Sequence, residues 1–255
     1  MFTQVFDTHS HYTDTAFDSD RDTVLQRLPE QGIVHAVLAG TTVEDSAQGI
    51  RLAEQYEYLY AAVGIHPETA GAQPADYLAQ LEQMAKHPKA VAIGEIGLDY
   101  YYDTHPKELQ RFWFRQQLRL AEETNLPVII HSRDASQETF DIIKASSVRR
   151  GSIHCYSGSA QMALDYVKMG FSIGVGGVVT FSNAKKLVET VAAIPMESIL
   201  IETDCPYLAP NPNRGKRNDS TNLKYVVEKI AEIKNLPPET VAEISEKNAK
   251  SLFFK

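Results

Sequence analysis

Apolar residues in this chain gather in short unbroken runs instead of alternating with polar ones. Eight such runs, rich in Val, Ile, Ala and Gly, cover 5–7, 36–40, 60–65, 90–95, 127–131, 152–154, 171–175 and 199–204. A strand with one wet face alternates, whereas an unbroken run is the pattern of a strand buried on both faces, as in a parallel sheet. Between the runs the apolar spacing turns helical. Leu78, Leu81, Met84 and Ala85 share one stripe, as do Leu109, Trp113 and Leu120, and later Leu223, Val226, Val227 and Ile230. Strand and helix alternate about eight times, which is the rhythm of an α/β fold of the (β/α)8 TIM-barrel class. An open doubly wound sheet competes with it, but that fold usually has fewer strands and a glycine-rich turn after the first, where this chain has histidines. No linker rich in Pro, Gly or Ser divides the sequence, so residues 1–255 read as one domain. Residues 238–254 read as a closing helix whose Val241, Ile244, Leu252 and Phe253 seal the barrel. Pro29 should end the first helical segment early.

Composition narrows the setting. The 43% hydrophobic content is that of an ordinary globular chain, and no apolar run approaches the roughly 20 residues that span a bilayer. With no basic, then apolar, amino-terminal segment, the expected location is the cytoplasm, with no membrane association. The two cysteines, Cys155 and Cys205, each lie in an apolar stretch and read as buried reduced thiols. A formal charge of −8 argues against broad electrostatic adhesion to nucleic acid. It leaves room for a local contact, for which the run Arg214-Gly-Lys-Arg217 is the basic candidate. No obligate protein partner is implied.

In such a barrel the chemistry lies at the carboxyl ends of the strands. Those positions hold His9 and His11 after the first run, His66 after the third, Glu95 at the end of the fourth, His131 at the fifth, His154 at the sixth and Asp204 at the eighth. Five of the chain's 8 histidines are in this set, although strand ends are a small minority of positions. In extended chain, residues two apart face the same way, so His9 and His11 present a pair of imidazoles. Glycines flank Glu95 in Gly94-Glu-Ile-Gly97, which points to close backbone or ligand approach. Glu202, two before Asp204, would face the same way but lie deeper in the barrel and orient a ligand. Four imidazoles and two carboxylates exceed one tetrahedral site, so two divalent ions are the economical reading, with Mg, Mn and Zn all compatible with a set lacking thiolate. Paired ions are a recurring device for phosphate-ester hydrolysis. Asp204 is the candidate to hold the attacking water and take its proton. Arg133 is placed to pair with a phosphate, and the tyrosines of Asp99-Tyr-Tyr-Tyr102 either stack nucleobases or simply pack.

The motifs Asp7-Thr-His-Ser-His11, Gly64-Ile-His-Pro67, Gly94-Glu-Ile-Gly-Leu-Asp99, His131-Ser-Arg-Asp-Ala135, His154-Cys-Tyr-Ser-Gly158, Glu202-Thr-Asp-Cys-Pro206 and Arg214-Gly-Lys-Arg-Asn218 resemble, in order, those of the TatD family of metal-dependent hydrolases. The resemblance covers nearly the entire chain. It implies a barrel of the amidohydrolase superfamily and a divalent-metal-dependent deoxyribonuclease acting from 3′ ends on DNA. By position it implies that His9, His11, Glu95 and Asp204 hold one ion, that Glu95, His131 and His154 hold a second, and that His66 and Arg133 approach a phosphate. Family members often carry another histidine shortly after the position of His66, where this chain has Glu68. Two further readings stay open: an ester or amide hydrolase such as an aminoacyl-tRNA deacylase, and a metal-stabilised binding module.

Overall fold

The computed structural model describes residues 4–102 and 104–254. Among them, eight parallel strands follow one another in chain order round one sheet. They are β1 (Val5–Ser10), β2 (Ile33–Ala39), β3 (Leu59–Val63), β4 (Ala90–Asp99), β5 (Val128–Arg133), β6 (Gly151–Ile153), β7 (Phe171–Val175) and β8 (Ile199–Ile201). The ring closes where Ser10 bridges Cys205 and where the Asp204 N–H donates to the His9 carbonyl at 3.0 Å. Outside it run α1 (Arg21–Arg27), α2 (Val43–Gln55), α3 (Tyr77–Ala85), α4 (Lys107–Thr124), α5 (Ser136–Ala145), α6 (Ala160–Lys168), α7 (Lys185–Ala193), α8 (Leu223–Lys234) and α9 (Pro238–Phe253). This is a (β/α)8 barrel. None of the described helices is long and apolar enough to cross a membrane.

Two apolar layers follow from strands buried on both faces. The larger lies between strands and helices. The smaller fills the barrel with Phe6, Val37, Ala62, Ala92, Ile129 and Leu200, and is sealed by Ala249, Leu252 and Phe253 of α9. Of the four residues expected to make that seal, Leu252 and Phe253 do so. Val241 and Ile244 pack into the outer layer instead, because the first turns of α9 lie against the helical shell. α1 ends at Arg27 and the chain tightens into a 3-10 turn at Pro29–Gln31, as a proline without an N–H requires.

Strand ends deviate from the apolar runs where polar side chains have tertiary partners. β1 continues to Ser10 and β4 to Asp99, carrying buried polar residues inside regular strand. β8 stops at Ile201, three residues short of the run's end at Asp204. There the chain turns towards β1: Asp7 Oδ1 and Oδ2 accept from the Thr203 N–H (3.0 Å) and hydroxyl (2.6 Å), and Oδ2 also accepts from the Ser220 hydroxyl (2.6 Å). Asp204 itself adopts a left-handed φ of 55°.

Candidate metal centre

Each donor at the carboxyl end of the barrel is aimed by the element that carries it. His9 is fully buried in β1 and His11 follows one residue beyond it. Glu95 lies inside β4, where its N–H donates to the Gly40 carbonyl at 2.8 Å. At Gly97 the backbone has φ +149°, and a Cβ there would stand 2.0 Å from the His131 carbonyl oxygen. Only glycine allows β4 to run this close to the residue that presents His131.

The side-chain tips form two groups. In the first, His9 Nε2 lies 3.0 Å from His11 Nε2, 3.2 Å from Glu95 Oε2 and 3.6 Å from Asp204 Oδ1, and His11 Nε2 lies 3.6 and 3.3 Å from the same two oxygens. In the second, His131 Nδ1 lies 2.8 Å from Glu95 Oε1 and 3.1 Å from His154 Nε2, with His154 Nε2 2.7 Å from Glu95 Oε1. Donors about 2.1 Å from one ion stand about 3.0–3.4 Å from each other in octahedral or tetrahedral geometry, so both spacings fit a cation. Outer hydrogen bonds agree. His11 Nδ1 faces the Ala39 carbonyl at 3.1 Å and His131 Nε2 faces Asp99 Oδ2 at 2.9 Å, so each ring would keep its outer proton and turn a lone pair inward once an ion displaces the inner one.

Electrostatics inside the group are steep. Burial pushes the His11 and His131 imidazoles down, yet both are held up at about 9. Asp204 and Glu95 outweigh burial for His11, and Asp99 and Glu95 do so for His131. His9 falls to about 4 through burial and the neighbouring His154. Burial opposes the charge on Glu95, but His154, His9 and His66 hold the carboxylate well below its usual range. With no ion, this arrangement keeps protons among the carboxylates that a divalent cation replaces.

The remaining expected site residues lie close by. His66 Nε2 is 3.5 Å from Glu95 Oε1, and its ring meets that of His131 edge-on at 4.3 Å. Burial and His131 lower it to about 3. Glu202 is buried, accepts from the Cys155 N–H, and has Oε1 3.7 Å from His154 Nδ1. Burial pushes that carboxyl up to about 8. Arg133 lines a cavity of about 790 Å³ above the donors together with Tyr102, Tyr207 and Glu68.

Three expectations are corrected. The 214–217 run does not line this cavity: Arg217 forks onto Asp20 at 2.7 and 2.6 Å, and the Arg214 guanidinium lies over the Phe181 ring at 4.4 Å. The Arg217 charge is spent on Asp20, and none of the run's three basic side chains reaches the cavity wall. Glu202 and Asp204 do not share a strand face, since both lie beyond β8. Cys155 is no core thiol; it is half-buried on the cavity wall at a φ of 44°. One residue went unnoticed: Asp99, the partner of His131. Glu95, Gly97 and Asp99 occupy alternate positions of one strand, and that period of two was the available signal.

The closed barrel, with imidazole and carboxylate converging at its carboxyl end, is the arrangement of a metal-dependent hydrolase. Comparison places the chain within that class. The family model described as TatD related DNase matches residues 6–254. The chain is 43% identical to the uncharacterized metal-dependent hydrolase YabD of Bacillus subtilis, over 98% of each protein. It is 32% identical to the 3′-5′ ssDNA/RNA exonuclease TatD of Rahnella sp., again over 98% of each. The crystal structure of YjjV, a TatD homologue from Escherichia coli, superposes with a TM-score of 0.94 at 35% identity over 99% of both chains. This chain belongs to the TatD family and is a metal-dependent hydrolase acting on ester bonds.

Proposed function

We propose that this protein is a divalent-metal-dependent deoxyribonuclease that removes nucleotides from the 3′ ends of single-stranded DNA, with one ion that His9, His11, Glu95 and Asp204 would hold and a second that Glu95, His131 and His154 would hold. The carrying observation is the division of one carboxylate between two donor groups, Oε2 towards His9, His11 and Asp204, and Oε1 towards His131 and His154. The name of the Rahnella relative supports the substrate and the direction.

Bound ions supply Lewis acidity at the phosphoryl group and lower the pKa of an attacking water. The chain's own residues do the rest. Asp204 is held below the usual carboxylate range, because His11, His9 and His154 outweigh the effect of burial. It therefore stands ionised at the edge of the first group, ready to orient a water and accept its proton. His66 stays neutral beside Glu95, and because its Nδ1 accepts from the Glu68 N–H at 3.2 Å, its Nε2–H is the group that donates to a phosphate oxygen. Arg133 presents a guanidinium that keeps its charge throughout. Asp99 holds His131 in place through its hydrogen bond to Nε2, while Glu202 faces His154 Nδ1 at 3.7 Å without bonding it.

A 5′-labelled single-stranded oligonucleotide incubated with the protein in magnesium or manganese should give a ladder shortening from the 3′ end. Chelation or His131→Ala should abolish it. Cleavage that survives thorough chelation would overturn the reading, and turnover of aminoacyl-tRNA in preference to DNA at equal concentration would move it to ester hydrolysis.

A further inference from the structure

Five large apolar side chains are exposed among the described residues, and four of them stand in two loops at the mouth of the cavity. Tyr101 (58%) and Tyr102 (43%) follow β4, and Tyr207 (54%) and Leu208 (38%) follow β8. In a ring of eight consecutive strands, β4 and β8 are four places apart, so these loops rise from opposite sides of the rim. Tyr102, Tyr207 and Leu208 line the cavity directly. Scattered exposed aromatics need no explanation, but concentration at one mouth does.

Both loops are tied to the donor groups. Asp99 Oδ1 accepts from the N–H of Tyr101 (2.9 Å) and of Tyr102 (3.1 Å), while its other oxygen holds His131. The Arg133 guanidinium lies over the Tyr101 ring at 3.9 Å and the Tyr102 ring at 4.8 Å. The two rings stand at 88° to each other, so the flat face of the guanidinium can lie on only one of them, and Arg133 ties the pair to the cavity wall. Across the mouth, the Tyr207 N–H donates to the Asp204 carbonyl at 2.9 Å, and its hydroxyl donates to Asp14 Oδ2 at 2.8 Å. Each aromatic shelf is therefore held in place by the same short stretch of chain that positions a donor.

Resting on the nuclease reading, we infer that these are two base-stacking shelves, one on either side of the cleaved bond, and that they confine the enzyme to unpaired strand ends. The cavity walls carry five carboxylates against one guanidinium, so fixed side-chain charge contributes little attraction for a polyanion. Ring stacking supplies affinity without reading sequence. Bases within a duplex have both faces covered by their neighbours, and two opposed shelves can engage successive bases only after these separate.

The test compares full-length wild type, Tyr102→Ala, Tyr207→Ala and the two corresponding Phe variants. Initial rates are measured in manganese on a single-stranded oligonucleotide and on the same strand with tetrahydrofuran abasic residues at its two 3′ positions. Each alanine variant should raise KM on the base-bearing strand roughly 10- to 100-fold, with a much smaller change in kcat, and the loss should shrink to within about two-fold on the abasic strand. The Phe variants, which keep the ring and lose only the hydroxyl tie, should recover most of the KM lost by the alanine variants on the base-bearing strand. Equal losses on both strands would assign the rings to the fold or to donor geometry and overturn the proposal, as would alanine variants with unchanged KM. A wild-type protein that cleaves neither strand would instead overturn the nuclease reading beneath it.

Discussion

Asp99 uses its two oxygens for different tasks, one fixing the proton of His131 and the other fixing the backbone of Tyr101 and Tyr102. Asp99→Asn tests the first task. An amide nitrogen facing His131 Nε2 favours the tautomer that carries its proton on Nδ1 and so aims a hydrogen at the donor group. Outer partners of metal-bound histidines typically affect metal affinity or activity by about 10–100-fold. A loss in that range is expected by calorimetric titration with manganese; unchanged affinity would contradict the assigned role. The donors themselves were legible because imidazoles and carboxylates stand out at the ends of apolar runs. Asp7 was not, since what it does is defined by partners far along the chain: it binds Thr203 and Ser220, about 200 positions away.

At the scale of elements, all eight strands coincide with apolar runs, since burial on both faces leaves a pattern that chance seldom imitates. Their ends were less legible. β4 runs on through Leu98 and Asp99 because it pairs there with Ser132 and Arg133 of β5. β8 ends early because residues 203–204 are claimed by β1. The closing role of α9 was readable from its apolar stripe, but which of its residues enter the barrel depends on the angle of docking. Phe253, 5% exposed, packs its ring 5.8 Å from that of Phe6 within the barrel. Phe253→Ala removes most of that plug and should cost about 3–5 kcal/mol, seen as a lower midpoint in urea. A loss well under 1 kcal/mol would mean that the barrel does not rely on α9 for closure.

Over the whole molecule, a net charge of −8 and a cavity lined by Asp14, Asp45, Glu68, Glu95 and Asp204, with Arg133 as its single guanidinium, leave bound cations to supply most of the positive charge that the proposed DNA substrate would meet. Protons and metal compete for the same donors. His11 and His131 titrate near 9 in the metal-free protein, above the value of about 6.5 expected in the unfolded chain. Their contribution to metal-free stability is therefore full below pH 6.5 and lost as pH rises through about 9, while metal affinity grows over the same interval. The gap in melting temperature between manganese-loaded and metal-free protein should widen between pH 6.5 and 9, and a narrowing gap would contradict this linkage. The central claim, two ions sharing Glu95, is tested most directly by anomalous scattering from crystals soaked in manganese. Two peaks about 3.5–4 Å apart, one on each side of the Glu95 carboxylate, are the predicted result. A single peak at full occupancy, or peaks that do not share Glu95, would contradict it.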